Sequence, residues 1–157
     1  MKRSKKSKSD EWETPPDLFK AICKLTGVKP KLDVAANFYN KKCEHYIPDD
    51  RYGGALNKEI PEHQWTVDSW CNAPGSKIKK FVDRAVEHWI ENNVNIVMLL
   101  PVNTLANKSF QLVWEMFREG HVDIFPLFGI RPHFLWKGKK SKYGSRNGYI
   151  VVHFKKW

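Results

Sequence analysis

Apolar residues recur at helical spacing in some stretches of the chain and bunch into short runs in others. Leu18, Ile22 and Leu25 follow Thr14, a capping residue, and Pro15, which suits a first helical position; Gly27 closes the segment. From Ile78 onward, Phe81, Val82, Ala85, Val86, Trp89 and Ile90 make a stripe at i, i+3, i+4 and i+7, capped by Ser76 and ended by Asn92 and Asn93. A third helix is predicted over residues 104–119, with Phe110, Val113, Trp114 and Phe117 on one side and Gly120 beyond its end. The short apolar runs fall at 31–36, 65–71, 94–100, 122–125, 130–136 and 149–154. The run at 94–100, stopped by Pro101, has the character of a central parallel strand covered on both faces. Residues 37–64 show little periodicity and many turn formers, with one short strand expected near 44–47. Helices alternate with strands, so the pattern predicts an α/β sheet. Residues 1–10 lack an apolar anchor and read as a disordered basic arm before a single domain at 11–157.

Composition narrows the class. The chain has 157 residues, 41% apolar and 28% charged, a soluble globular mixture. No apolar run approaches the ~20 residues of a membrane span, and the Lys-rich start has no apolar stretch behind it to form a secretory signal. Three scattered cysteines with no CxxC pair argue against a disulfide framework or a zinc module and fit a reducing intracellular compartment, cytosol or nucleus.

Charge adds a partner. The net charge is +10. Residues 1–8 carry five positives and no acid; residues 137–146 carry five more (Lys137, Lys139, Lys140, Lys142 and Arg146) and again no acid. The remaining body is neutral. Two basic clusters on a neutral body form a footprint for a polyanion such as nucleic acid, with a solvated tail and loop as the alternative. Trp136 beside the second run and Tyr143 within it add π-faces for exposed bases.

In open α/β sheets, ligands sit outside the carboxyl ends of the strands. Asp33, Asn72 and the pair Asn103-Thr104 fall at such positions and converge as a candidate site. The chain has no GxGxxG fingerprint, P-loop, GxSxG or HExxH. Its six histidines are scattered and read as surface or packing residues.

Four fragments then stand in a familiar order: Glu11-Trp12-Glu13-Thr14-Pro15, Leu32-Asp33-Val34-Ala35-Ala36, Asn40-Lys41-Lys42-Cys43 and Trp70-Cys71-Asn72-Ala73-Pro74. They resemble the phage-type, Dam-like DNA adenine methyltransferases, with their W-x-T-P start, L-D-V-A-A strand, N-x-K-C turn and W-x-N-P-P segment. Leu99-Leu100-Pro101 and Arg131-Pro132-His133-Phe134 are similar to later family segments. The resemblance covers about residues 10–154. It implies a Rossmann-like, S-adenosylmethionine-dependent fold with a mostly parallel sheet flanked by helices, intracellular and without a metal. It also implies that Trp12, Thr14 and Pro15 lie against the methionine end of the cofactor, that Asp33 and Ala35 make a strand-end contact with it, and that Asp49 or Asp50 meets its ribose or adenine. Read without the resemblance, Trp12 is a hydrophobic staple, Thr14 a cap and Asp49-Asp50 a turn.

The chemistry asks for something definite at Asn72. An adenine amine is nearly planar and a poor nucleophile. A side-chain carbonyl from Asn72 and the backbone carbonyl of Ala73, followed by Pro74, would accept its two hydrogens and favour the tetrahedral nitrogen of the transition state. The target base leaves the duplex to reach such a pocket. The segment departs from the family's N-P-P-[YF]: Ala73 replaces a proline and Gly75 the aromatic that normally stacks on the base. Trp70, Phe134 and Trp136 are the neighbours that could stand in. The alternatives are a nucleic-acid-binding protein that keeps the fold without transfer, and a methyltransferase for RNA or another base.

Overall fold

The computed structural model describes residues 12–48, 54–57 and 59–157; the basic arm, Glu11, Asp49 and Asp50 lie outside the described residues. The first helix, α1 (Pro16–Thr26), starts without a side-chain cap: Pro15 occupies the cap position, and Thr14 is buried instead of capping. Gly27, at φ 72°, closes the helix by donating its N–H to the Cys23 carbonyl. The chain then forms β1 (Leu32–Ala36), β2 (His45–Pro48) and β3 (Ser69–Cys71). Only the end of the run at 65–71 is strand. Trp65 stays outside it, stacked on His88 at 5.1 Å.

The second helix, α2 (Ile78–Asn92), follows a 3-10 turn over Gly75–Lys77, so Lys77 and not Ser76 takes the cap position, and no side chain caps it. Asn93 ends it in the left-handed region, as its sequence suggests. The buried arc of α2 runs through Phe81, Arg84, Ala85, His88 and Trp89, while Ile90 is 57% exposed. At 100° per residue Ile90 lies about 140° round from Ala85, and the arc has shifted toward Arg84 and His88. Ala55 and Gln64 cover that side: the Arg84 guanidinium donates to the Ala55 carbonyl and to Gln64 Oε1.

The next strand, β4 (Ile96–Pro101), is central and buried on both faces. It leads into two 3-10 turns, Val102–Ala106 and Lys108–Phe110, and only then into α3 (Gln111–Arg118). The expected helix over 104–119 is therefore half as long. The turns also reset its phase, so Val113 and Met116 are buried and Trp114 is exposed. The chain ends with β5 (Val122–Pro126), the two-residue strands β6 (Leu135–Trp136) and β7 (Lys139–Lys140), and β8 (Tyr149–Phe154).

Six strands form one sheet in the order β2-β1-β3-β4-β8-β5. The pairings among β2, β1, β3 and β4 are parallel, and β8 runs antiparallel to both β4 and β5. The sheet is thus mainly parallel, as an α/β pattern demands, but β4 has a parallel neighbour on one side only. One core packs α2 and α3 against Val34, Ile96, Met98, Leu100 and Val152. The other packs Ile22 of α1 and Phe134 against Trp70, Val97, Leu99 and Val151. Alternate residues of β4 and β8 feed the two cores, so the same strands hold both layers in register. Among the described residues, no helix is long and apolar enough to cross a membrane.

Candidate active site

The carboxyl ends of β3 and β4 open into a cavity of about 770 Å³. Asn72 and Ala73 enter it directly from β3, and Asn103 and Thr104 from the turn after β4. This is the convergence that the polar residues at strand ends imply. Asp33 does not share it: the residue sits inside β1, not at its end, and lines no part of this cavity. Its carboxylate is buried and accepts the backbone N–H groups of Ala35 (3.2 Å) and Lys42 (3.0 Å). Asp33 therefore fastens the loop after β1 to the strand. Burial pushes its carboxyl up to about 6, opposed by the two N–H donors and the Lys42 charge.

Asn72 is held from outside its own loop. Its Nδ2 donates to the backbone carbonyl of Trp12 at 3.2 Å, a contact across 60 residues. That bond uses one of the two Nδ2 hydrogens and orients the amide, whose acceptor is Oδ1. Trp12 is in turn fixed on both sides. Its ring stacks on Phe134 at 5.5 Å and 16°. The next residue, Glu13, exchanges two backbone hydrogen bonds with Leu135, at 2.7 and 2.8 Å. Pro74 is buried, and its carbonyl accepts the Lys77 N–H at 2.9 Å, turning the chain from β3 into α2.

The segments on either side of α1's start divide. Trp12 lines the cavity, while Thr14, Pro15 and Ala35 do not. The Thr14 hydroxyl is buried and has no hydrogen-bond partner among the described residues. Asp50 lies outside the described residues.

The basic run also divides. Lys142, Tyr143 and Arg146 line the cavity. Trp136, Lys137, Lys139 and Lys140 belong to a hairpin beside it. Lys137 (φ 50°) and Gly138 (φ 77°) form its two-residue turn, and the Lys137 ammonium lies 4.7 Å from the Trp136 ring centroid. Of the stand-ins for the missing aromatic, Trp70 is buried against Phe19 in the second core and Trp136 lies outside the cavity; only Phe134 lines it.

Sequence reasoning missed Lys79, Asn107, Gly144 and Tyr149, all of which line the cavity. Among the described residues, three cations, Lys79, Lys142 and Arg146, line it and no acid does. Gly144 is there for steric reasons: a Cβ at this position would lie 2.6 Å from Arg131 Cβ and 2.8 Å from the Arg131 carbonyl oxygen. The Arg131 guanidinium also donates to the Arg146 carbonyl at 3.0 Å, so this arginine seats the basic loop. No sequence signal ties Gly144 to Arg131, but the R-x-x-F fragment does mark one partner.

The cysteines lie away from the cavity. Cys43 and Cys71 are buried, none of the three lines the cavity, and burial pushes the Cys43 thiol up to about 12 and Cys71 well above its ordinary value.

Comparison with known proteins identifies the family. Residues 2–156 match the sequence model of the family described as DNA N-6-adenine-methyltransferase (Dam). The chain is also similar to a DNA N-6-adenine-methyltransferase of Haemophilus phage HP1 (strain HP1c1), 31% identical over 100 residues. That match covers 64% of this chain and 54%, about half, of the phage protein.

Proposed function

The chain belongs to the Dam family of DNA N-6-adenine-methyltransferases, and on that premise we propose that it methylates the exocyclic amine of adenine in DNA using S-adenosylmethionine. The observation that carries this reading is the tethered amide of Asn72. The bond from Nδ2 to Trp12 orients the amide, and Oδ1 with the neighbouring Ala73 carbonyl are the acceptors we assign to the two amine hydrogens. Accepting both draws electron density back onto the nitrogen and favours its tetrahedral form, an interaction stronger in the transition state than in the ground state. One amine proton leaves to solvent after transfer.

The bound cofactor supplies a methyl group activated on a sulfonium, open to direct displacement. Thr14, Pro15, Asp33 and Ala35, with Asp50 beyond the described residues, are the residues we assign to holding it. Two observations fit. The buried Thr14 hydroxyl without a partner is a polar atom suited to meet a ligand. And β1 lies directly beside β3, Asp33 paired with Trp70, so the cofactor segment and the catalytic segment are adjacent. A mainly parallel sheet with one reversed strand, β8, suits the Rossmann-like form. Residues 11–157 would then act as one catalytic domain behind the basic arm.

The rim of Lys79, Lys142 and Arg146 suits a phosphate backbone, and the family makes DNA the polymer we assign to it. A covalent route through a cysteine, the usual demand of methylation at a pyrimidine carbon, has no support, since no thiol lines the cavity. The experiment is calorimetric titration with S-adenosylmethionine, followed by unmodified DNA and mass analysis of its nucleosides. N6-methyladenine is the expected product. Cofactor binding with no methylated base points instead to a nucleic-acid binder, and methylated cytosine overturns the assignment.

A further inference from the structure

We propose that Trp12 provides the aromatic face on which the target adenine stacks, in place of the ring that position 75 lacks. This rests on the methyl-transfer reading above, and departs from it by moving Trp12 from the cofactor to the substrate.

Gly75 lies on the cavity wall and carries no side chain, so a base brought to Asn72 finds no π-face on that side. Trp70 and Trp136 are outside the cavity, leaving Trp12, Phe134, Tyr143 and Tyr149 as its aromatic lining among the described residues. Phe134 is buried behind Trp12 and touches Tyr149 edge-on at 5.0 Å, so it backs the indole and has little surface of its own to offer. Tyr143 is 74% exposed on the basic loop, with Lys142 5.4 Å from its ring centroid. Trp12 differs from it in two respects. It lines the cavity and stays 36% exposed while its ring is stacked on Phe134, so the indole is supported and still accessible. And its own carbonyl holds Asn72 at 3.2 Å, which sets the indole and the acceptor for the amine in one rigid unit.

A base is recognised by edge and face together. Asn72 and Ala73 read the amine on the edge, and a supported indole supplies the face. Stacking tolerates any base, whereas the edge selects the amine, so the pair explains how adenine can be held without the usual aromatic. The two bonds between Glu13 and Leu135 keep the platform in place before substrate arrives, so little ordering remains to be done on binding.

Trp12→Phe keeps a ring, and Trp12→Leu keeps apolar volume without one. The leucine variant is expected to lose on the order of 10- to 100-fold in kcat/KM for DNA, with S-adenosylmethionine affinity by calorimetry within threefold of wild type. The phenylalanine variant is expected to retain most of kcat/KM. A wild-type kcat/KM in Trp12→Leu, or a loss of cofactor affinity with the KM for DNA unchanged, overturns the proposal and returns Trp12 to packing or to the cofactor. A large loss in Tyr143→Leu with none in Trp12→Leu moves the platform to the loop. Each of these outcomes leaves wild-type methyl transfer intact, so failure of the platform is distinct from failure of the proposed activity.

Discussion

Asn72 and Trp12, sixty residues apart, are joined by a 3.2 Å hydrogen bond from the side-chain nitrogen of one to the backbone carbonyl of the other. The bond fixes which end of the amide faces the cavity. Asn72→Asp keeps an acceptor oxygen but replaces the donor with an oxygen facing the Trp12 carbonyl, so the side chain turns away. Its kcat should fall roughly 10-fold or more, while an alanine, lacking any acceptor, falls further. Single-turnover methylation of DNA by both variants tests the order.

The basic run is two structures in one stretch of sequence. Lys142 and Arg146 line the cavity with Lys79, whereas Lys137, Lys139 and Lys140 sit on the adjoining hairpin. Replacing Lys142 and Arg146 with glutamine should lower DNA affinity and reduce the slope of log K against log salt by about 0.9 per lost phosphate contact. Binding isotherms at several salt concentrations measure it, and an unchanged slope removes these two residues from the DNA path.

Gly144 is set against the backbone of Arg131, where a methyl group would come within 2.8 Å of a carbonyl oxygen. Gly144→Ala must displace the loop that carries Lys142, Tyr143 and Arg146. The expected result is a several-fold higher KM for DNA with S-adenosylmethionine affinity unchanged, and a stability loss of about 1–3 kcal/mol. Thermal unfolding and calorimetry separate the two effects.

Asp33 gives a pH signature. Burial raises its carboxyl from 3.8 to about 6 in the folded state. The folded form therefore binds this proton more tightly than the unfolded one. The resulting stabilisation is complete below the unfolded value and is lost as pH rises through about 6. A shift of about two units corresponds to roughly 3 kcal/mol. Asp33→Asn cannot titrate, so the difference in unfolding free energy between wild type and variant should decline from pH 5 to pH 7. A flat difference contradicts the raised value.

Much of this arrangement is legible in the sequence because local patterns record it. The stripe through Phe81, Val82, Ala85, Val86 and Trp89 marks α2, Gly27 and Asn93 mark helix ends, and Asn72 and Asn103 follow strands whose apolar runs are plain. What is not legible depends on partners far along the chain. The run at 94–100 is equally apolar whether its neighbours are parallel or not, so the reversed direction of β8 leaves no trace in β4. Ile90 and Trp114 fit their stripes until Arg84 and His88 draw the buried arc of α2 away and two 3-10 turns rephase α3. Trp12 on Phe134, and Gly144 on Arg131, are contacts that no local spacing encodes.

On the proposed reading, Asn72 carries the methyl transfer and does not hold the cofactor. The most direct measurement compares Asn72→Ala with wild type, scoring N6-methyladenine formation and S-adenosylmethionine affinity on the same preparations. Transfer is expected to fall by about 100-fold or more while cofactor affinity stays within a few-fold. Wild-type transfer by Asn72→Ala would contradict it.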